Sequence, residues 1–185
     1  MNPATISERV ASQLVLIDVQ EKLSGVMPAA PLQELLRSCA LLLQASRLLE
    51  VPVIYTEQYP KGLGATHADL GIWLDSGSRV EKICFSCYEE PAFRNKLHGD
   101  RSQILLAGME AHICILQTAL QLQTMGKQVF VVEDAVISRK PENKVNALAR
   151  LRQAGVIVTN TESVVFEWLR VAEGDAFKQI SRLVR

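Results

Sequence analysis

Gln103-Ile104-Leu105-Leu106-Ala107-Gly108-Met109-Glu110-Ala111-His112-Ile113-Cys114 is the stretch whose reading decides the fold. An apolar run from Ile104 to Ala107 stops at a glycine. A helical pattern then begins, with Ile113, Leu116, Leu120 and Met125 on one side and Gly126 at its end. The pattern predicts a strand, a tight turn and a helix, with a thiol in the first helical turn. Unpaired N–H groups and the helix dipole favour an anion there, so the thiolate gains on the thiol. Most cysteines are nevertheless small core residues, and Cys114 reads as a nucleophile only if partners reach it.

Working outward, Ser12 to Gln20 is a near-continuous apolar run with Asp18 close to its C-terminal end, as expected of a central parallel strand covered on both faces. Pro28 to Glu50 predicts a long helix, with Leu32, Leu35, Leu36, Cys39, Leu42, Leu43 and Leu49 at helical spacing. Pro52–Thr56 reads as a strand, Glu57–Gly64 as a loop, residues 65–79 as irregular, and Val80–Ile83 as a short strand. Glu90 to His98 reads as a helix with Pro91 in its first turn. Beyond Gly126 come a strand Gln128–Val132, a helix from Pro141 to Ala154 closed by Gly155, a strand Val156–Thr159, and helices Thr161–Trp168 and Asp175–Val184.

This alternation predicts an α/β fold: a three-layer sandwich with a central, mainly parallel sheet and helices on both faces. In such sheets ligands bind beyond the C-terminal strand ends, near the switch point in strand order. Asp18 ends the first strand, Lys82 lies on the third and Cys114 follows the fourth. The three can therefore meet on one rim.

The 185 residues, 48% of them hydrophobic, suit one domain over 1–185. Twenty basic and twenty acidic side chains cancel, so no charge excess points to nucleic acid or to an anionic membrane as partner. The N-terminal residues have no signal-peptide core, and the apolar runs are too short to span a bilayer, so a cytoplasmic location is expected. Cys39 falls on a helical apolar stripe and reads as core. Cys84 and Cys87 form a C-x-x-C with no second pair or histidines to complete a zinc site, and read as reduced and structural.

Three segments, Leu16-Ile17-Asp18-Val19-Gln20, Glu81-Lys82-Ile83-Cys84-Phe85-Ser86 and Gly108–Cys114, resemble in their order the signature segments of the isochorismatase-like cysteine hydrolases. Thr56–Gly64 and Glu110–Cys114 are most similar to the branch known as isochorismatase-domain-containing proteins. The resemblance implies a triad of Asp18, Lys82 and Cys114, and hydrolysis of a small amide or related acyl compound. Asp18 would act as general base, Lys82 as the compensating cation, and Cys114 as the nucleophile that forms a thioester. It also implies a cis peptide between Met109 and Glu110, and an oxyanion hole from the backbone N–H groups of Glu110 and Cys114. A small-molecule substrate and a homo-oligomer follow from the same resemblance.

Departures from the family pattern narrow this. Nicotinamidase-like members have an Asp and histidines at a metal site after the second strand. Here Glu57-Gln58-Tyr59-Pro60 stands at that place, and His67 and Asp69 do not match, so no metal and no other cofactor is expected. Isochorismatases proper lack the cysteine, so Cys114 argues against vinyl-ether chemistry. Tyr59, Phe85 and His112 are candidate pocket residues, with Trp73 as a further apolar wall, although core packing is the simpler reading of Tyr59, Phe85 or Trp73 taken singly, and packing or capping of the helix that of His112. Glu110 reads either as pocket lining or as solvent-facing. Gly62-Leu63-Gly64 lacks the context of a phosphate loop and reads as a flexible connection. The rival reading is a binding or scaffold protein that keeps the fold without turnover, and the charge balance speaks against a nuclease.

Overall fold

The computed structural model describes residues 5–75 and 78–184. The readings of residues 1–4 and of 76–77 lie outside the described residues. The elements run β1 Ser12–Ile17, α1 Glu21–Ser24, α2 Ala29–Leu48, β2 Val53–Gln58, α3 Pro60–Leu63, α4 Ala68–Gly71, β3 Arg79–Lys82 and α5 Pro91–Arg94. They continue as β4 Gln103–Met109, α6 Leu116–Thr124, β5 Gln128–Ile137, α7 Pro141–Gln153, β6 Ile157–Thr159, α8 Thr161–Leu169 and α9 Gly174–Leu183. All strand pairs are parallel, in the order β3-β2-β1-β4-β5-β6. The sheet winds one way from β1 to β3 and the other way from β4 to β6. The switch point therefore lies between β1 and β4.

Alternate side chains of each strand enter opposite layers, which is why the central strands are apolar on both faces past their first residues. Leu14 and Leu16 of β1, with Leu105, Ala107 and Met109 of β4, pack in the layer built on α2, α8 and α9. Val15, Ile17, Ile104 and Leu106 pack in the other, with Leu116, Ala119 and Leu122 of α6 and Leu148 and Leu151 of α7. Helix α2 buries Leu35, Cys39, Leu42 and Leu43 against the sheet, as its spacing predicted. Helix α8 starts where the Asn160 side chain accepts from the Ser163 N–H at 2.8 Å, satisfying one of the orphan donors of its first turn. No described helix is long and apolar enough to cross a membrane.

The structure departs from the sequence reading where tertiary contacts take over. Strand β5 continues past Val132 to Ile137. An irregularity lets Leu106 face Val131 while Gly108 faces Val136, and the apolar pattern changes phase across Glu133 and Asp134. The supposed loop after β2 holds the end of the strand and the short helix α3. The supposed irregular stretch contains α4, and the helix placed at Glu90–His98 is only the turn Pro91–Arg94. Nor does Gly108 end its strand. It sits inside β4 at φ 136, where a Cβ would lie 2.0 Å from the Ile17 carbonyl oxygen. Glycine is there so that β4 can approach β1 at the switch point.

Candidate active site

Three strand ends deliver the predicted trio. Asp18 follows β1 directly, with φ 52, a left-handed conformation that turns its side chain at the end of a fully buried strand. Lys82 is the last residue of β3. Its apolar stem is enclosed, and its ammonium is 2.7 Å from Asp18 Oδ2. Cys114 lies in a π-helical turn, Ala111–Ile115, that precedes α6, and its sulfur is 3.7 Å from Lys82 Nζ. π-Turns of this kind recur at functional sites. Cys114 is buried, with 6% of its residue surface exposed.

The electrostatics follow from that enclosure. Burial pushes the Cys114 thiol up, the Asp18 carboxylate pushes it further, and Lys82 pulls against both. The thiol is thus held neutral. For Lys82, burial is the largest single influence and pulls the ammonium down. Asp18, through its charge and its hydrogen bond, outweighs this together with the two nearby sulfurs, and the net direction is up. The resting site is therefore a carboxylate, an ammonium and a neutral thiol.

Sequence reasoning missed the residues that hold this trio. Thr56 Oγ1 donates to Asp18 Oδ1 at 2.6 Å. Gln58 Oε1 accepts from Lys82 Nζ at 2.7 Å, and the carbonyls of Cys84 and Phe85 each accept from it at 3.3 Å. Gln20, completely buried, accepts from the Gln58 N–H at 2.8 Å and donates to the carbonyls of Gln58 and Gly64. Thr56 and Gln58 sit beyond the switch point on β2. Their alternation along that strand was the one available signal, since residues two apart share a face.

The turn before Cys114 corrects one expectation. No cis peptide occurs among the described residues, so the Met109–Glu110 bond is trans. The chain reverses through the left-handed Glu110, φ 56 and ψ 63, and the wide π turn after it. A positive φ at a non-glycine residue costs less than a non-proline cis bond. Glu110 is buried, neither solvent-facing nor in view of the sulfur's partners. Its Oε1 pairs with Arg139 Nε, and its Oε2 lies 3.3 Å from His112 Nδ1 but off the line of a hydrogen bond.

The candidate pocket residues separate. Tyr59, 52% exposed, lines a cavity of about 240 Å³ with Lys82, Ile83 and Glu90. Phe85 is exposed beside it in sequence, its carbonyl bound to Lys82. His112 is tied elsewhere: Nδ1 lies 3.0 Å from Ser138 Oγ and Nε2 lies 3.2 Å from Asn143 Nδ2. An amide nitrogen can only donate, so Nε2 accepts and Nδ1 carries the proton in this arrangement. Trp73 packs in the α2 layer, away from the trio. His67 caps α4, its Nδ1 accepting from the Asp69 N–H. A larger hollow of about 440 Å³ lies beside Gln13, Asn95 and Lys96, at the opposite strand ends. Neither hollow is lined by Asp18 or Cys114, and the Lys82 ammonium is enclosed rather than open to the smaller one.

With this geometry in view, comparison with known proteins is informative. Residues 12–163 match the isochorismatase domain. Isochorismatase domain-containing protein 2A of Mus musculus is 41% identical over 179 residues, covering 95% of this chain and 83% of its own. A solved structure described as the MAR1 ribonuclease of Caenorhabditis elegans has a TM-score of 0.89 at 33% identity, over 97% of this chain and 92% of that one. The YcaC gene product of Escherichia coli, described as an octameric hydrolase of unknown specificity, shares the fold with a TM-score of 0.90 at 18% identity. The match spans 99% of this chain and 92% of that one. From the matched domain and the curated relative together, the chain belongs to the isochorismatase domain family.

Proposed function

We propose that the protein is a cysteine hydrolase that cleaves a small amide or related acyl compound through a thioester on Cys114. The observation that carries this reading is the contact chain from Asp18 Oδ2 to Lys82 Nζ at 2.7 Å and on to Cys114 Sγ at 3.7 Å. Asp18 takes the thiol proton as sulfur attacks the acyl carbon. The Lys82 ammonium, already between the two, compensates the charge that moves from carboxylate to sulfur. Collapse of the tetrahedral intermediate expels the amine, which takes the proton from Asp18. Asp18, ionised again, activates the water that cleaves the thioester and frees Cys114.

Two backbone donors complete the scheme. The N–H groups of Glu110 and Cys114, on the turn at the end of β4, serve as the oxyanion hole through a left-handed residue in place of the expected cis bond. Four unpaired cysteines suit a reducing compartment and so a cytoplasmic enzyme. Homo-oligomerisation agrees with the octamer described for the E. coli protein.

A ribonuclease name attaches to the C. elegans structure. The cancelling charges of this chain favour a small acyl substrate over RNA. The test is a screen of small amides, with intact-protein mass spectrometry of the acyl-enzyme. An adduct on Cys114, absent in Cys114→Ala, is expected. If the folded protein neither acylates nor turns over any amide, a binding or scaffold role replaces the hydrolase.

A further inference from the structure

Gln58 meets Lys82 in a way that fixes both side chains. Its Oε1 accepts from the ammonium at 2.7 Å, while its Nε2 donates to the Ile83 carbonyl at 2.6 Å. A flipped amide would set NH₂ against the ammonium and oxygen against the carbonyl, so the geometry admits one orientation. The backbone of Gln58 is held in turn, its N–H by Gln20 Oε1 and its carbonyl by Gln20 Nε2. Lys82 thereby has acceptors on every side: Asp18, Gln58, and the carbonyls of Cys84 and Phe85.

From this we infer that Gln58 is a positioning residue: a neutral oxygen that pins the Lys82 ammonium between Asp18 and the Cys114 sulfur and keeps it a fixed cation rather than a proton donor. The inference rests on the hydrolase reading of Cys114, and charge counting gives it content. Before attack, Asp18 is negative, Lys82 positive and the thiol neutral. After the proton passes from sulfur to Asp18, the thiolate is negative, Lys82 still positive and Asp18 neutral. The buried set sums to zero in both states, and an amide at position 58 preserves that. A carboxylate at 58 would leave the set one charge negative and disfavour the thiolate. The charged and titratable groups facing the sulfur are Asp18 after β1, Lys82 on β3, and Cys87 in the 3₁₀ turn that follows β3.

The test follows the rate of iodoacetamide alkylation of Cys114 against pH, resolved by peptide mass spectrometry, in the wild type, Gln58→Glu and Gln58→Met. The glutamate is expected to raise the midpoint by about one pH unit, roughly a tenfold loss of rate at any pH below it. Methionine removes the acceptor without adding charge and should raise the midpoint by less. It also carries the test if the glutamate variant does not fold. A merely structural Gln58 would lower the melting temperature of both variants and leave the midpoint where it was, and that result overturns the inference. Alkylation needs no substrate. A protein that cleaves no amide would end the hydrolase reading alone, whereas amide turnover with an unmoved midpoint would end only the role given to Gln58.

Discussion

The two rims of the sheet are both buried and both polar, yet they are built from different chemistry. At the amino ends of β1 and β4 the side chains are neutral. Gln103 accepts from the Glu8 N–H and donates to the Ile6 carbonyl and to Gln128. Ser12 donates to the Glu8 carbonyl and accepts from the Trp168 indole, while Gln13 accepts from the His98 N–H and donates to the Lys96 carbonyl. At the carboxyl ends of the same strands and their neighbours lie ions and a thiol: Asp18, Lys82 and Cys114. A buried neutral amide with its partners in place pins a chain segment and does nothing further. A buried ion pair is costly to desolvate and is weak evidence for stability, so its presence calls for another reason. The helix starts that follow strands in a parallel sheet add positive dipole ends to the carboxyl rim, which suits developing anions. On the proposed hydrolase reading, the difference between the rims is the difference between holding the chain and moving a proton.

The comparison breaks most visibly at the proposed nucleophile. Cys114→Ala is expected to lower amide turnover by at least about 10⁴-fold with the fold intact, as loss of a nucleophile does elsewhere. Steady-state rates beside a thermal melt check both halves of that statement. Lys82→Met comes next. It leaves the Asp18 charge buried without its cation and should cost about 3–5 kcal/mol in denaturant unfolding. Combining it with Asp18→Asn removes the stranded charge, so the double variant should be more stable than Lys82→Met alone. If the double variant proves the less stable of the two, the pair is a stabilising device and the contrast with the amino rim fails.

How much of this was legible in the sequence differs along the same line. The parallel sheet and its two layers follow from apolar runs such as Leu14–Ile17 and from helical spacing such as Leu35, Cys39 and Leu42, because period and burial are local properties of the chain. The convergence of Asp18, Lys82 and Cys114 followed from strand ends and switch-point logic, helped by family resemblance. What was not legible depends on side chains meeting across strands. Nothing near Gln58 in sequence announces an ammonium donated from Lys82 on the adjacent strand. Nothing near Gln20 announces that its amide will clamp the loop to Gly64. The trans turn at Glu110 was missed for a different reason: the family pattern implied one way of reversing the chain, and a left-handed residue followed by a π turn supplies another.

Alkali sharpens the contrast, because only the carboxyl rim titrates. Burial pushes the Cys87 thiol up to about 12, with Lys82 opposing and Asp18 adding to the rise, and burial likewise raises Cys114. The folded protein holds these protons more tightly than the unfolded chain. Their contribution to stability is therefore whole below the ordinary thiol value of 9.0 and is lost as pH rises through the folded values. Each thiol adds a slope of about 1.4 kcal/mol per pH unit, so the pair contributes about 3 kcal/mol per unit above pH 9. Denaturant midpoints across that range should flatten by one thiol's share in Cys87→Ala.

The smallest effect belongs to the neutral rim and is the cleanest check of independence. Gln103→Leu removes the acceptor for the Glu8 N–H and the donor to the Ile6 carbonyl, and should cost about 1–3 kcal/mol in denaturant unfolding. Because Ser12, Gln13 and Gln103 carry no proton that titrates in this range, the loss should be the same at pH 7 and pH 10. The alkylation profile of Cys114 should also stay that of the wild type. Gln103 and Gly108 lie on one strand, and Gly108 closes directly onto Ile17 beside Asp18. A shift in Cys114 reactivity on changing Gln103 would therefore mean that β4 carries strain from one end to the other, and that the two rims are a single coupled device rather than a pin and a reaction site.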